Sequence, residues 1–195
     1  MHRTRVYPMW TGPMAQLTPF ALLAFAAAFP VSLAWHARRG RMGWAVRIAI
    51  ADALLVASVL VILRATLPSD QPASGLDPWT WMPFEDLIRA WPFERSRAVI
   101  LGQMAQNVVL FVPFGMALVL RERRAPLWRV ALVSAAFSVG IEATQGLAGN
   151  GRAADITDVL MNALGGACGW ALGRLLLAGL ANWSRARAPR VSDAR

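Results

Sequence analysis

Five long apolar runs separated by polar connections set the plan of this 195-residue chain. They cover about Met14–Trp35, Trp44–Thr66, Met104–Leu120, Val130–Ala148 and Ile156–Leu180. A helix that crosses a bilayer needs roughly 20 apolar residues. The third and fourth runs are short by that measure but too apolar for surface helices. The pattern therefore predicts an all-α fold, an integral membrane helical bundle of about five transmembrane helices. A smaller signal lies between runs two and three. Phe84, Leu87, Ile88 and Trp91 recur at i, i+3, i+4 and i+7, with Glu85, Asp86 and Arg89 among them. That spacing predicts one short amphipathic helix, entered through Pro83 and stopped before Pro92. It can lie in the membrane interface, dip back into the bilayer or pack on the bundle.

Composition agrees with this picture: 56% of residues are hydrophobic and only 16% charged, which leaves no room for a separate soluble module beside the spans. The net charge of +9 would fit nucleic-acid binding in another chain. Here the arginines form short clusters between the apolar runs, in 36–43, 121–129 and the tail from Asn182, and no basic domain exists. Nucleic acid is excluded as a partner, and membrane lipids with anionic headgroups are expected instead. The connection 67–103 carries Asp70, Asp77, Glu85, Asp86 and Glu94. By the positive-inside rule the basic connections and the C-terminus face the cytoplasm, and the N-terminus, the long connection and the turn 149–154 lie outside. Trp35, Trp44, Trp128 and Trp183 fall at the cytoplasmic boundary, Trp10, Trp79, Trp81 and Trp91 at the other, and Trp170 at mid-span. The first apolar run is too long for a signal peptide and ends in a basic cluster, so it reads as a retained span. The single cysteine, Cys168, is expected to be buried and inert. With only two histidines, both near the first span, no metal site and no cofactor are expected.

The candidate chemistry gathers around the turn between runs four and five. In run four, Ser134, Ser138, Glu142 and Gln145 share one helical face. Run five carries Asp155, Asp158 and Asn162 toward its outer end, then Gly165, Gly166, Gly169 and Gly173 toward the cytoplasm. Glycines at this spacing mark a seam where another helix approaches closely. Run three starts at the same membrane face with Gln103, Gln106 and Asn107, and has Pro113 and Gly115 at its middle. A proline there kinks the helix, which either opens space beneath Asn107 or is ordinary packing. Alternation of the spans lets Asn107, Glu142, Gln145, Arg152, Asp155, Asp158 and Asn162 meet in one outer-leaflet cavity. Ionisable groups inside a membrane are costly and mark functional sites. Bland readings exist for several of them. Asp155 can be the N-cap of the fifth helix, with Asp158 favoured by its dipole. Arg152 can balance these acids or touch lipid phosphate. Glu142 needs a partner such as Arg152, or else stays neutral. Asp52 lies in run two near the cytoplasmic end, to be satisfied by Arg47 or a neighbouring helix, and stands outside this group.

These residues resemble the VanZ-like family. The likeness rests on Asn107 followed by Phe111, Pro113 and Gly115, then Glu142 and Gln145, then Arg152, Asp155, Asp158, Asn162 and Gly165. It is clearest over Met104–Trp170 and reaches back to Met82-Pro83-Phe84, where Thr80 stands in place of an asparagine. The resemblance implies a protein of the bacterial cytoplasmic membrane, from a family linked to reduced susceptibility to teicoplanin-type antibiotics. Residues 44–180 would form its four-helix domain, 1–43 an additional helix with a basic loop, and 181–195 a basic tail. Two functions compete. One is binding, without catalysis, of an envelope lipid, a lipid-linked cell-wall intermediate or an envelope protein. The other is an enzyme acting on a lipid-linked or phosphate-containing substrate through Glu142, Asp155 and Asp158. No known catalytic signature is present, which favours binding. A transporter is a third and weaker reading, because no internal repeat is recognisable.

Overall fold

The structure is a computed structural model and describes residues 13–38, 42–66, 79–148 and 154–186. Arg152, Asp70, Asp77 and Trp10 lie outside the described residues. Six helices account for 89% of what is described. They are α1 (Pro13–Ala37), α2 (Met42–Thr66), α3 (Glu85–Ala90), α4 (Glu94–Arg121), α5 (Leu127–Ala148) and α6 (Ile156–Ala186). All but α3 are long and apolar enough to cross a membrane.

The expected elements are present, with two notable shifts in their bounds. Helix α4 begins at Glu94, ahead of the apolar run at Met104. Hydropathy marks where a bilayer would begin, whereas a helix continues as long as its backbone bonds are met. Here Arg97 ties the added turns to α3: its guanidinium lies 5.2 Å from the Trp91 ring centroid, and its Nη1 donates to the Trp91 carbonyl at 3.2 Å. Helix α6 likewise continues past Leu180 to Ala186. A feature with no sequence signal is a parallel pairing of two two-residue strands, β1 (Trp79–Thr80) and β2 (Ala154–Asp155). It joins the end of the long connection to the start of α6.

Helix α4 is the centre of the bundle. It packs against α6 on one side and α2 on the other, while α5 lies against α6 and α1 runs along α2. Lipid tails are as apolar as leucine, so the helices are held by close packing rather than by escape from water. Ile62, Leu110, Phe111, Phe114 and Ile141 form a buried cluster, with Phe137 packed on it. The rings of Phe114 and Phe137 stack with centroids 5.3 Å apart. Between α4 and α6 the backbones come into direct contact. A methyl group on Gly115 would fall on the backbone of Gly166, and one on Gly169 would fall on the Val112 carbonyl. Pro113 leaves α4 a continuous helix. The space it borders is a cavity of about 410 Å³ shared with Leu17, Ala21 and Leu54, on the α1–α2 side of α4, away from the α6 side where Asn107 is bonded.

Outward-facing positions are apolar: Leu23 and Val31 of α1 are each 72% exposed, and Leu175 of α6 is 69% exposed. Such surface on five helices belongs in lipid. Cys168 is among these exposed positions, so the expectation of a buried thiol is corrected. Gly165 and Gly169 take the face turned to α4 and Gly166 the face turned to α5, and position 168 is rotated away from both. Trp170 stands at the middle of α6. Its indole Nε1 donates to the Ala125 carbonyl at 2.9 Å, in the connection between α4 and α5.

Candidate functional site

Chain alternation gives the bundle two polar ends. At the acid face α2 and α5 end and α6 begins; at the arginine face α1 and α4 end and α2 and α5 begin. The residues singled out around the turn after α5 gather at the acid face, in three separate links. Between α4 and α6, Asn107 Nδ2 donates to Asp158 Oδ1 at 2.6 Å. Between α5 and the start of α6, the backbone amide of Asp155 donates to Glu142 Oε2 at 3.0 Å. Between α5 and α2, Gln145 Nε2 donates to the Thr66 carbonyl at 2.8 Å. That last bond serves a carbonyl that the end of α2 leaves without a helical partner.

Asp155 also caps α6. Its Oδ1 accepts the amide of Thr157 at 2.7 Å, the bond an N-cap side chain makes to the second residue of a helix. Thr157 then turns outward to the long connection, where its Oγ1 accepts the amide of Phe84 at 2.9 Å. Phe84 has φ of 60°, left-handed backbone that costs an L-residue roughly 1–2 kcal/mol. The Thr157 bond and the β1–β2 pairing hold it there. A chain of contacts therefore runs from Glu142 through Asp155 and Thr157 to the start of α3.

Deeper in the bundle, Asn162 Nδ2 donates to Ser138 Oγ at 2.8 Å. Both residues are buried, and so are Ser134, Glu142 and Gln145. Ser134 lies against Gly166, where a side chain would collide with its hydroxyl. The shared face read from the spacing of Ser134, Ser138, Glu142 and Gln145 is thus turned inward, and it divides its partners between α6 and α2.

The acid face holds a cavity of about 100 Å³. Glu142 and Asp155 are its acidic lining, Thr80 and Trp81 border it, and Val139, Ala143, Ala154, Ile156 and Val159 complete it. Asn107, Gln145, Asp158 and Asn162 are not part of this lining; they are used to join helices. Among the described residues no group of three or more His, Cys, Asp or Glu is placed to hold a metal ion.

A scan against family profiles matches VanZ/LLP1 over residues 51–177. The chain belongs to the VanZ/LLP1 family. The match runs from within α2 to late in α6, so it contains Asn107, Glu142, Gln145, Asp155, Asp158 and Asn162 and leaves α1 outside. Neither a search of curated proteins nor a search of solved structures finds a match. In this VanZ/LLP1 chain, sequence reasoning missed Thr157, Thr80 and Trp81. Thr157 sits between the two aspartates of Asp-Ile-Thr-Asp, a position where a hydroxyl beside an N-cap could have been noticed. Thr80 and Trp81 are brought to the site by a β pairing that two residues cannot announce.

Proposed function

We propose that this VanZ/LLP1 protein sits in the bacterial cytoplasmic membrane and binds one end of an amphiphile at its acid face, without catalysis. The arginine face is cytoplasmic on this reading, because clustered arginines stay on that side, and the acid face opens outside. The amphiphile is an envelope lipid or a lipid-linked cell-wall intermediate, with an envelope protein as the other occupant. An altered response to teicoplanin-type antibiotics would be its cellular consequence. The observation that carries the reading is the composition of the small cavity. Glu142 and Asp155 mark its acidic end, the surface of the cavity is almost wholly apolar, and of its α5 and α6 walls Val139 is 52% exposed to the surroundings. A headgroup at the acidic end would leave its tail along Val139 and Val159, in lipid.

Binding is favoured over turnover by the work the two acids do. Each accepts a backbone amide, which positions the turn and the start of α6. Arg152, by its place in the sequence, is the cation proposed for a phosphate headgroup. The test is lipid copurification by mass spectrometry, with wild type and an Arg152→Ala, Glu142→Ala variant reconstituted from the same membranes. A lipid or glycan carried by wild type and missing from the variant supports the reading. Identical lipid content and identical binding of every envelope lipid tried would end it. Turnover of a lipid-linked substrate in proteoliposomes, abolished in Asp158→Asn, would replace binding with catalysis.

A further inference from the structure

A second polar centre lies at the arginine face, built around the Asp52 that sequence reasoning set aside. Asp52 Oδ2 accepts Ser32 Oγ at 2.7 Å and lies 3.3 Å from His36 Nε2, while Oδ1 pairs with Arg121 Nη1. Neighbouring helices, not Arg47, therefore satisfy it. Arg47 instead reaches the carbonyls of Leu120 and Arg121, where α4 ends. Cα–Cβ bonds lean toward a helix's own N-terminus. His36 and Arg121, near the ends of α1 and α4, therefore lean back into the bundle, and Asp52 of the antiparallel α2 leans out to meet them. Ser32, His36 and Asp52 do not form a hydrolase triad. Hydroxyl and imidazole both address the same carboxylate oxygen, so the serine has no base. The cluster fixes Arg121.

Beside that cluster runs a groove of about 970 Å³ between α1, α2 and α4. Its apolar walls include Ala24, Ala28, Val31, Val56 and Leu60, and its polar end carries Ser32, His36, Asp52, Arg121 and Arg38. Asp52 holds one edge of the Arg121 guanidinium, whose side chain is still 50% exposed. A guanidinium has five donors in a planar fork, so the exposed part can still grip a phosphate. Arg38 is exposed on the same groove. Two arginines against the single carboxylate of Asp52 make the groove end positive. Pockets that enclose a whole small ligand measure roughly 300–1,000 Å³, and this one lies along α1 and α2 with Arg121 of α4 at its charged end.

We propose that this groove binds an anionic phospholipid, its phosphate on Arg121 and Arg38 and its acyl chains along α1 and α2. The site is at the opposite face from the cavity beside Glu142 and does not depend on that reading. It also gives α1, which lies before the family match, a purpose: Ser32, His36 and Arg38 all come from its end.

The test uses the full-length protein in nanodiscs with phosphatidylglycerol or phosphatidylcholine and compares retention by native mass spectrometry. An arginine near a headgroup contributes about fivefold in affinity for anionic lipid. Wild type should prefer phosphatidylglycerol by at least ~10-fold, the Arg38→Gln, Arg121→Gln variant by no more than ~2-fold, and Arg38→Gln alone by an intermediate factor. Arg38 is exposed, so the single variant remains informative even where loss of Arg121 impairs folding. Val56→Trp, which narrows the groove, should weaken retention of phosphatidylglycerol. A phosphatidylglycerol with a photoreactive acyl chain should label 24–35 and 52–60. No preference in wild type, an unchanged preference in the Arg38→Gln variants, or labelling confined to 139–159 would each overturn the proposal.

Discussion

The acid face around Glu142 and the arginine face around Asp52 solve the same problem with opposite chemistry. Helices that begin at a face present unpaired amides there, and helices that end present unpaired carbonyls. At the acid face, carboxylates take the amides: Glu142 accepts that of Asp155, and Asp155 accepts that of Thr157. At the arginine face, donors take the carbonyls. Arg47 serves Leu120, Arg174 Nη1 donates to the Arg123 carbonyl at 2.6 Å, and Trp170 serves Ala125. Each choice also places its charge where the helix dipole favours it. The faces differ in openness as well. Glu142 is 7% exposed and Asn162 is 3% exposed, whereas the Arg121 side chain is half in the open. The buried carboxylate and amide groups hold the chain beside the cavity, whereas the exposed part of Arg121 retains donors.

Four perturbations break or sharpen this contrast. The largest strikes the packing that holds the acid face. Gly166→Val drives a side chain into Ser134 and separates α5 from α6. Overpacking against such a contact costs about 3 kcal/mol or more, so little folded protein should survive size-exclusion chromatography. Next is Glu142→Ala, which leaves the Asp155 amide unpaired in a buried site. Loss of about 2 kcal/mol is expected in reversible unfolding by sodium dodecyl sulfate, with Glu142→Gln milder because an acceptor oxygen remains.

Asp52→Ala should cost less, about 1 kcal/mol in the same measurement, since its partner Arg121 is half exposed and solvent screens the pair. An Asp52→Ala loss larger than that of Glu142→Ala would reverse the assignment of closed and open centres. The smallest effect is the coupling between Asn107 and Asp158. A double-mutant cycle with alanine at each should give about 0.6 kcal/mol, as interhelical hydrogen bonds in membranes do on average. A coupling near zero would mean that the glycine seam alone sets the α4–α6 spacing at this end.

Much of the fold was legible because a bilayer simplifies the code. Backbone groups in lipid must be bonded internally, so an apolar run of sufficient length becomes a helix. The spacing of Phe84, Leu87, Ile88 and Trp91 also located α3 within a residue or two. The candidate site was less transparent. That Asn107, Glu142, Asp155 and Asp158 lie at one end followed from alternating spans, but their pairings depend on helix rotation. Rotation sends Gln145 to α2 while Glu142, three residues earlier, turns to α6. Cys168 was misjudged for the same reason: hydropathy does not distinguish a lipid-facing position from one facing another helix, since both are apolar.

The sequence by itself determined which segments are helices and which end of each carries acid or arginine, since these depend only on local hydropathy and chain direction. Tertiary structure alone decided the partners. Contact between α4 and α6 is set by glycines meeting across the seam, and Asp52 met Ser32, His36 and Arg121 only once three helices had packed. The physical reason is that a membrane fixes the direction of a helix and leaves its rotation to packing. These polar pairings between helices depend on that rotation.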